Sequence, residues 1–234
     1  MKTAILVDGG FYKQRVKTIY GDLSPEELAN NLMEHCYKHL KHKGEKSELY
    51  RIFYYDCPPL DKKVMHPLTG ETIDFKKTDA YINGTEFLDI LRHKRKVALR
   101  LGKLTGSGSD FIMPAYNVRK LCKGKITPEN LKANQLKLDV RQKGVDMRIG
   151  IDIASLAYKK QVDRIVLIAG DSDFVPAAKV ARREGIDFIL DPMWNQISQD
   201  LMEHIDGLYS KCDKPKALIK QEQEAEKKKQ ASKE

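Results

Sequence analysis

Apolar residues fall along this chain in two spacings, short unbroken runs and fourfold repeats. Thr3-Ala4-Ile5-Leu6-Val7 runs straight into Asp8-Gly9-Gly10, which predicts a strand buried on both faces, closed by a turn, with Asp8 at its end. Ser24-Pro25-Glu26-Glu27 supplies an N-cap, a proline at the first helical position and a capping-box glutamate, so a helix follows. Its apolar positions Leu28, Leu32, Cys36 and Leu40 recur every four residues, with Met33 and Tyr37 beside them and Gly44 as a left-handed stop. Leu49 to Tyr55 reads as a second strand. In the C-terminal half the pattern predicts a helix over 146–159, an apolar strand over 164–169, a helix over 174–184 and a strand over 187–190. Strands alternating with helices mean crossover units and a mainly parallel sheet, an α/β fold.

The middle third is less regular. Pro58-Pro59 opens a segment with turn signals at His66-Pro67, Thr69-Gly70 and Asn83-Gly84, read as an irregular insertion over 58–84. Glu86 to Arg92 then looks helical, Lys96 to Leu101 looks like a strand, and Thr127-Pro128-Glu129-Asn130 can start a short helix. From Lys214 the composition collapses to Lys, Glu, Gln and Ala. The expected organisation is one domain over 1–211 and a charged tail over 212–234, disordered or a solvated helix, and able to meet a protein partner or a second copy.

With 41% hydrophobic and 32% charged residues in 234, the chain can bury a real core, which excludes wholesale disorder. No apolar run approaches the roughly 18 residues of a membrane span, and Asp8 interrupts the N-terminal run before a secretory signal could form. Cys36, Cys57, Cys122 and Cys212 make no C-x-x-C pair, so reduced thiols and a cytoplasmic setting are expected. Charge is concentrated: between Arg92 and Lys125 ten Lys or Arg stand against Asp110 alone, which accounts for the whole formal net charge of +9. A basic block on a neutral body is the footprint of a polyanion partner, here RNA or another nucleic acid. Phe111, Met113 and Tyr116 interleave the charges and could stack on bases.

The aspartates carry the chemistry. In a parallel sheet, ligands bind outside the carboxyl ends of the strands, and Asp8 and Asp171 each follow an apolar strand there. Asp173 sits where the next helix begins. Asp146 and Asp152 belong to the preceding helix, but six residues turn through about 600°, so they do not share a face and Asp146 acts from the helix entrance. Clustered carboxylates repel unless divalent cations neutralise them, and Mg²⁺ or Mn²⁺ prefers such oxygen ligands.

Val7-Asp8-Gly9-Gly10-Phe11-Tyr12, Lys143-Gly144-Val145-Asp146 with Asp152, and Ala169-Gly170-Asp171-Ser172-Asp173-Phe174 resemble the NYN domain, in particular its LabA-like branch, within the PIN-like nuclease group. The resemblance spans residues 3 to about 208, outside the insertion and the tail. It implies a Rossmannoid, PIN-like three-layer α/β/α domain and a ribonuclease, with Asp8, Asp152, Asp171 and Asp173 as acids of an Mg²⁺ or Mn²⁺ site and Asp146 as a branch-specific fifth catalytic acid. Where many relatives have Asp-Gly-x-Asn this chain has Gly10-Phe11, which removes a contact to substrate or metal. Lys94, Arg95, Lys96, Arg100 and Lys103 are the candidates for holding the nucleic-acid backbone, and Phe11 or Tyr12 for stacking a base.

Other readings stay open. A binding module would share the basic block and differ only at the carboxylates, and another metal-dependent phosphohydrolase would use the same sheet edge. His35 and His39 have the spacing of a helical metal pair, with Cys36 and His42 nearby, but no H-E-x-x-H motif. Gly106-Ser107-Gly108 lacks the lysine and strand-to-helix context of a phosphate-binding loop.

Overall fold

The computed structural model describes residues 1–42, 45–105, 110–220 and 223–224. The expected stop at Gly44, the Gly106-Ser107-Gly108 turn and the end of the tail lie outside the described residues. In chain order the main elements are β1 (Lys2–Asp8), α1 (Gly9–Tyr20), α2 (Pro25–Lys38), β2 (Glu48–Asp56), α3 (Asp79–His93), β3 (Val97–Leu101), α4 (Ala115–Cys122), α5 (Val145–Tyr158), β4 (Arg164–Ile168), α6 (Val175–Arg183), β5 (Asp187–Asp191), α7 (Gln199–Glu203) and β6 (Gly207–Leu208). The six strands form one sheet in the order β6-β5-β4-β1-β2-β3, every neighbouring pair parallel. The result is a three-layer α/β/α fold consistent with a PIN-like domain.

Alternation along the central strands splits the core in two. Ile5 and Val7 of β1, Ile52 and Tyr54 of β2 and Val166 and Ile168 of β4 face α1, α2 and α3, meeting Tyr12, Leu32, Phe87 and Leu91. Ala4, Leu6, Phe53, Tyr55, Ile165 and Leu167 face α5 and α6, meeting Ile149, Ile153, Ala178 and Ala181. Both faces of β1 are therefore covered, which is why its sequence is continuously apolar. The α2 capping box forms as the sequence predicts, with Glu27 N donating to Ser24 Oγ (3.3 Å) and Ser24 N to Glu27 Oε2 (2.8 Å).

The insertion is more ordered than its turn signals suggest. Lys63–Met65 and Thr72–Asp74 pair as a hairpin, Phe75–Lys77 forms a 3₁₀ turn, and α3 starts at Asp79 under a Thr78 cap rather than at Glu86. Asn83-Gly84 is therefore not a turn but part of α3. Gly84 is needed for close approach, because Pro59 Cγ stands 2.8 Å from where a Cβ would be. Buried His66 docks this hairpin onto the segment between β3 and α5, through Ala133 O (3.2 Å) and the Phe111 ring (4.8 Å between centroids). That segment is closed at its base where Lys103–Thr105 pairs antiparallel with Arg141–Lys143. The packed body also reaches past 211: Cys212 and Pro215 are buried, and Trp194 Nε1 donates to Cys212 O (2.9 Å). No described helix is long and apolar enough to cross a membrane.

Candidate acidic active site

Parallel pairing brings the carboxyl ends of β1, β2 and β4 side by side, with Asp8 in register with Tyr55, Val7 with Ile168, and Asp56 with Leu101. Asp8 is the N-cap of α1 and accepts from Phe11 N (3.1 Å). Asp171 caps the 3₁₀ turn Ser172–Phe174 and accepts from Asp173 N (3.0 Å), so the backbone points two carboxylates outward at one loop. Gly144, at φ 81° in the left-handed region, turns the chain into α5 and sets Asp146 in the helix's first turn. The acids sense one another. The Asp8 carboxyl is pushed up to about 6, chiefly by burial, with Asp146 and Asp56 adding and the Phe11 amide opposing. Asp146 is also raised, by burial and then by Asp171 and Asp173.

Asp56 is the acid that sequence reasoning missed. Its side chain is 1% exposed and collects four partners: Lys13 Nζ (2.7 Å), Tyr54 OH (3.0 Å), Cys57 N (2.8 Å) and Gln142 Nε2 (3.2 Å). The available signal was the one used for Asp8 and Asp171, an acid directly after a buried strand. Lys13 also shows that the cluster does have one basic partner. A cleft of about 390 Å³ opens beside Asp8 and Asp171, walled by Phe11, Gln14, Asn195 and Ser198. Phe11 reaches across to Gly170, where a Cβ would stand 2.5 Å from the ring. Asn195 Nδ2 lies 3.2 Å from the same point, so an amide enters the cleft from another element.

Asp152 is not brought to this cluster. It lies farther along α5, where Tyr55 OH (2.7 Å) and Arg100 Nε (3.0 Å) hold its Oδ2. About nine ångströms of helix separate it from Asp146, and the turn angle directs it elsewhere. Tyr12 is fully buried and its OH donates to Asn31 Oδ1 (2.7 Å), so it packs the core instead of stacking on a ligand. The five cations divide. Lys94, Arg95 and Lys96 precede β3 and so sit at the opposite edge of the sheet, with Lys94 bound to Asn30 Oδ1 (3.2 Å) and Lys96 to Leu49 O. Arg100 is committed to Asp152 and stacks over Phe53 (5.2 Å). Lys103, beyond the end of β3, is on the acidic edge and pairs in register with Lys143.

His35 and His39 meet a partner the sequence did not reveal. Their Nε2 atoms lie 2.8 and 2.7 Å from Oδ2 of Asp191, all three residues buried. Met193 N (2.7 Å) and Lys211 N (3.3 Å) also donate to this carboxylate. His-His-Asp is a chemically suitable metal set, but ligands on a tetrahedral zinc stand about 3.3 Å apart. As arranged, the group is a hydrogen-bonded brace between α2 and β5. Burial works to raise Asp191, but the two histidine bonds win and hold it well below the usual carboxylate range. His39 is lowered because burial outweighs its bond to Asp191.

An open parallel sheet with carboxylates gathered outside its strand ends defines a class of α/β proteins that bind their ligand at that edge. Within that class, residues 115–210 match the family model of the NYN domain. The matched span holds Asp146, Asp171, Asp173 and Asn195; Asp8 and Asp56 lie before it. Among solved structures, a protein of unknown function from Vibrio parahaemolyticus aligns over 91% of this chain and 93% of its own, at 16% identity and a TM-score of 0.48. No curated protein matches the chain.

Proposed function

We propose that this protein is a metal-dependent ribonuclease that hydrolyses phosphodiester bonds at the acidic edge of its sheet. One observation carries the reading: Asp8, Asp146, Asp171 and Asp173 arrive from two strand ends and one helix entrance, and the charges of Asp8 and Asp146 are disfavoured as they stand. Such a group gains most from a cation. The donors are all carboxylate oxygens beside an open cleft, which fits Mg²⁺ or Mn²⁺ and not a thiophilic metal. Asp8, Asp171, Asp173 and Asp146 would hold the ion, which when bound supplies Lewis acidity toward the phosphoryl oxygens. The NYN match supports a nuclease of the PIN-like group.

The chain's own groups do the positioning. Lys13 and Gln142 fix Asp56 at the end of β2, beside the other acids. Phe11 offers an apolar wall for a base, while Asn195 and Gln14 offer amides to phosphate or sugar oxygens in the same cleft. Lys103, Lys143, Arg119 and Lys120 belong to or border the segment that starts and ends on this edge, where they attract the RNA backbone.

The test is cleavage of labelled single-stranded RNA and DNA with Mn²⁺, Mg²⁺ or chelator. Cleavage of RNA that needs metal and falls at least about a hundredfold in both Asp8→Asn and Asp171→Asn is expected. Binding without cleavage under every metal, unchanged in both variants, would make the protein a nucleic-acid-binding module instead.

A further inference from the structure

A separate cavity lies away from the acids. It encloses about 530 Å³ between α3 and the Pro58–Lys62 loop, beyond the end of β3, a size typical of small-molecule sites. Tyr81, Thr85, Leu88 and Arg92 line it from one stripe of α3 at helical spacing. Pro59 forms the facing wall, held against α3 by the side-chain-free Gly84.

Two features tie this cavity to the acidic edge. Gly102 lines it and donates to Asp56 O (2.7 Å), and a Cβ on Gly102 would stand 2.7 Å from Lys143 O and 3.1 Å from Val145 Cγ2, beside Asp146. Its strand, β3, lies two positions from β1, about 10 Å across the sheet. The mouth is of mixed charge: Lys62 and Lys103 stand with Asp61, and Arg92 Nη1 is paired with Asp89 Oδ1 (2.7 Å), around an apolar interior. Flat walls from Pro59 and Tyr81 beneath Lys62 and Lys103 suit an unpaired base with a flanking phosphate.

We propose that this cavity takes one unpaired nucleobase of the RNA strand, with flanking phosphates on Lys62 and Lys103, so that the neighbouring linkage lies along the acidic edge. This rests on the ribonuclease reading and deepens it, since the cavity would select single-stranded over paired RNA.

The test measures binding of short end-labelled RNAs in chelator, where nothing is cut, by fluorescence anisotropy. One set is intact, another carries one abasic position at successive places, and the free mononucleotides form a further arm. The proteins are wild type, Thr85→Trp, which fills the cavity from an exposed position, and Tyr81→Ala, which removes one wall. In wild type, an abasic residue at one register should weaken binding about five- to a hundredfold. Thr85→Trp should lose the same factor on intact RNA and be indifferent to that abasic residue. If Thr85→Trp melts below wild type, Tyr81→Ala carries the same comparison with no added bulk. Unchanged affinity for intact RNA in both variants, or an abasic loss undiminished in them, overturns the proposal. So does competition by a free mononucleotide that leaves RNA bound, because the occupant is then not part of the strand. Cleavage by wild type with Mn²⁺, measured separately, distinguishes the two readings: a flat binding cycle with intact cleavage removes the cavity proposal and leaves the ribonuclease.

Discussion

Asp8 is the residue on which most of the proposed chemistry turns, and its ionisation gives a prediction with a sign. Its carboxyl is pushed up to about 6, so below that pH it holds a proton that a cation must displace. Mn²⁺ affinity should therefore rise steeply from pH 5 to about 7 and then flatten, by calorimetric titration. An affinity independent of pH over that window would contradict the role given to Asp8. At Asp56 the expectation concerns stability. Lys13→Met leaves a carboxylate that is 1% exposed without its cation, although Tyr54, Cys57 and Gln142 still donate to it. Chemical denaturation should show a loss of about 1–3 kcal/mol. Strand-end acids were legible in the sequence because buried strands announce themselves, and Asp56 obeys the same rule as Asp8. Asp152 was not legible, since what claims it, Tyr55 and Arg100, comes from two strands distant in sequence.

Elements with strong local signals matched their prediction, and those set by tertiary packing did not. The α2 helix follows from Ser24, Pro25 and Glu27, all within one turn. By contrast, α3 begins at Asp79 and passes through Gly84, because a glycine chosen for the approach of Pro59 looks in sequence like a turn. Cohesion between elements is concentrated where His35 and His39 of α2 meet Asp191 at the end of β5. Removing Asp191 by Asp191→Ala strands two buried histidines and should cost about 3–5 kcal/mol. The brace also sets a pH response. His39 is lowered in the folded state, so the unfolded chain takes up the proton first, and stability falls as pH drops below about 6.5. Asp191 is lowered too, so its contribution is present above about 3.9 and is lost on further acidification. The melting temperature should fall in both windows; Asp191→Ala should remove the fall below about 3.9 and steepen the one below about 6.5, because His39 then loses the bond that opposes its burial.

Across the whole molecule, charge is distributed differently from its place in the chain. The basic block of 92–125 divides between two edges of the sheet, because β3 runs through it and separates Lys94, Arg95 and Lys96 from Lys103 and the following segment. Neutralising Lys103, Arg119 and Lys120 should weaken RNA binding and lower its salt slope by about one unit for each phosphate no longer paired with a cation. Neutralising Lys94, Arg95 and Lys96 should leave the slope unchanged, by anisotropy across a salt series. The sum of the charge is legible along the chain, whereas only the direction of β3 divides it. The central claim is that one ion-binding site is built from Asp8, Asp146, Asp171 and Asp173 and not from Asp152. The most direct test is a Mn²⁺ titration followed by electron paramagnetic resonance on wild type, Asp8→Asn, Asp171→Asn and Asp152→Asn. Weakened binding in the first two variants with wild-type binding in Asp152→Asn is the predicted result. Wild-type binding in Asp8→Asn and Asp171→Asn, or its loss in Asp152→Asn alone, would contradict it.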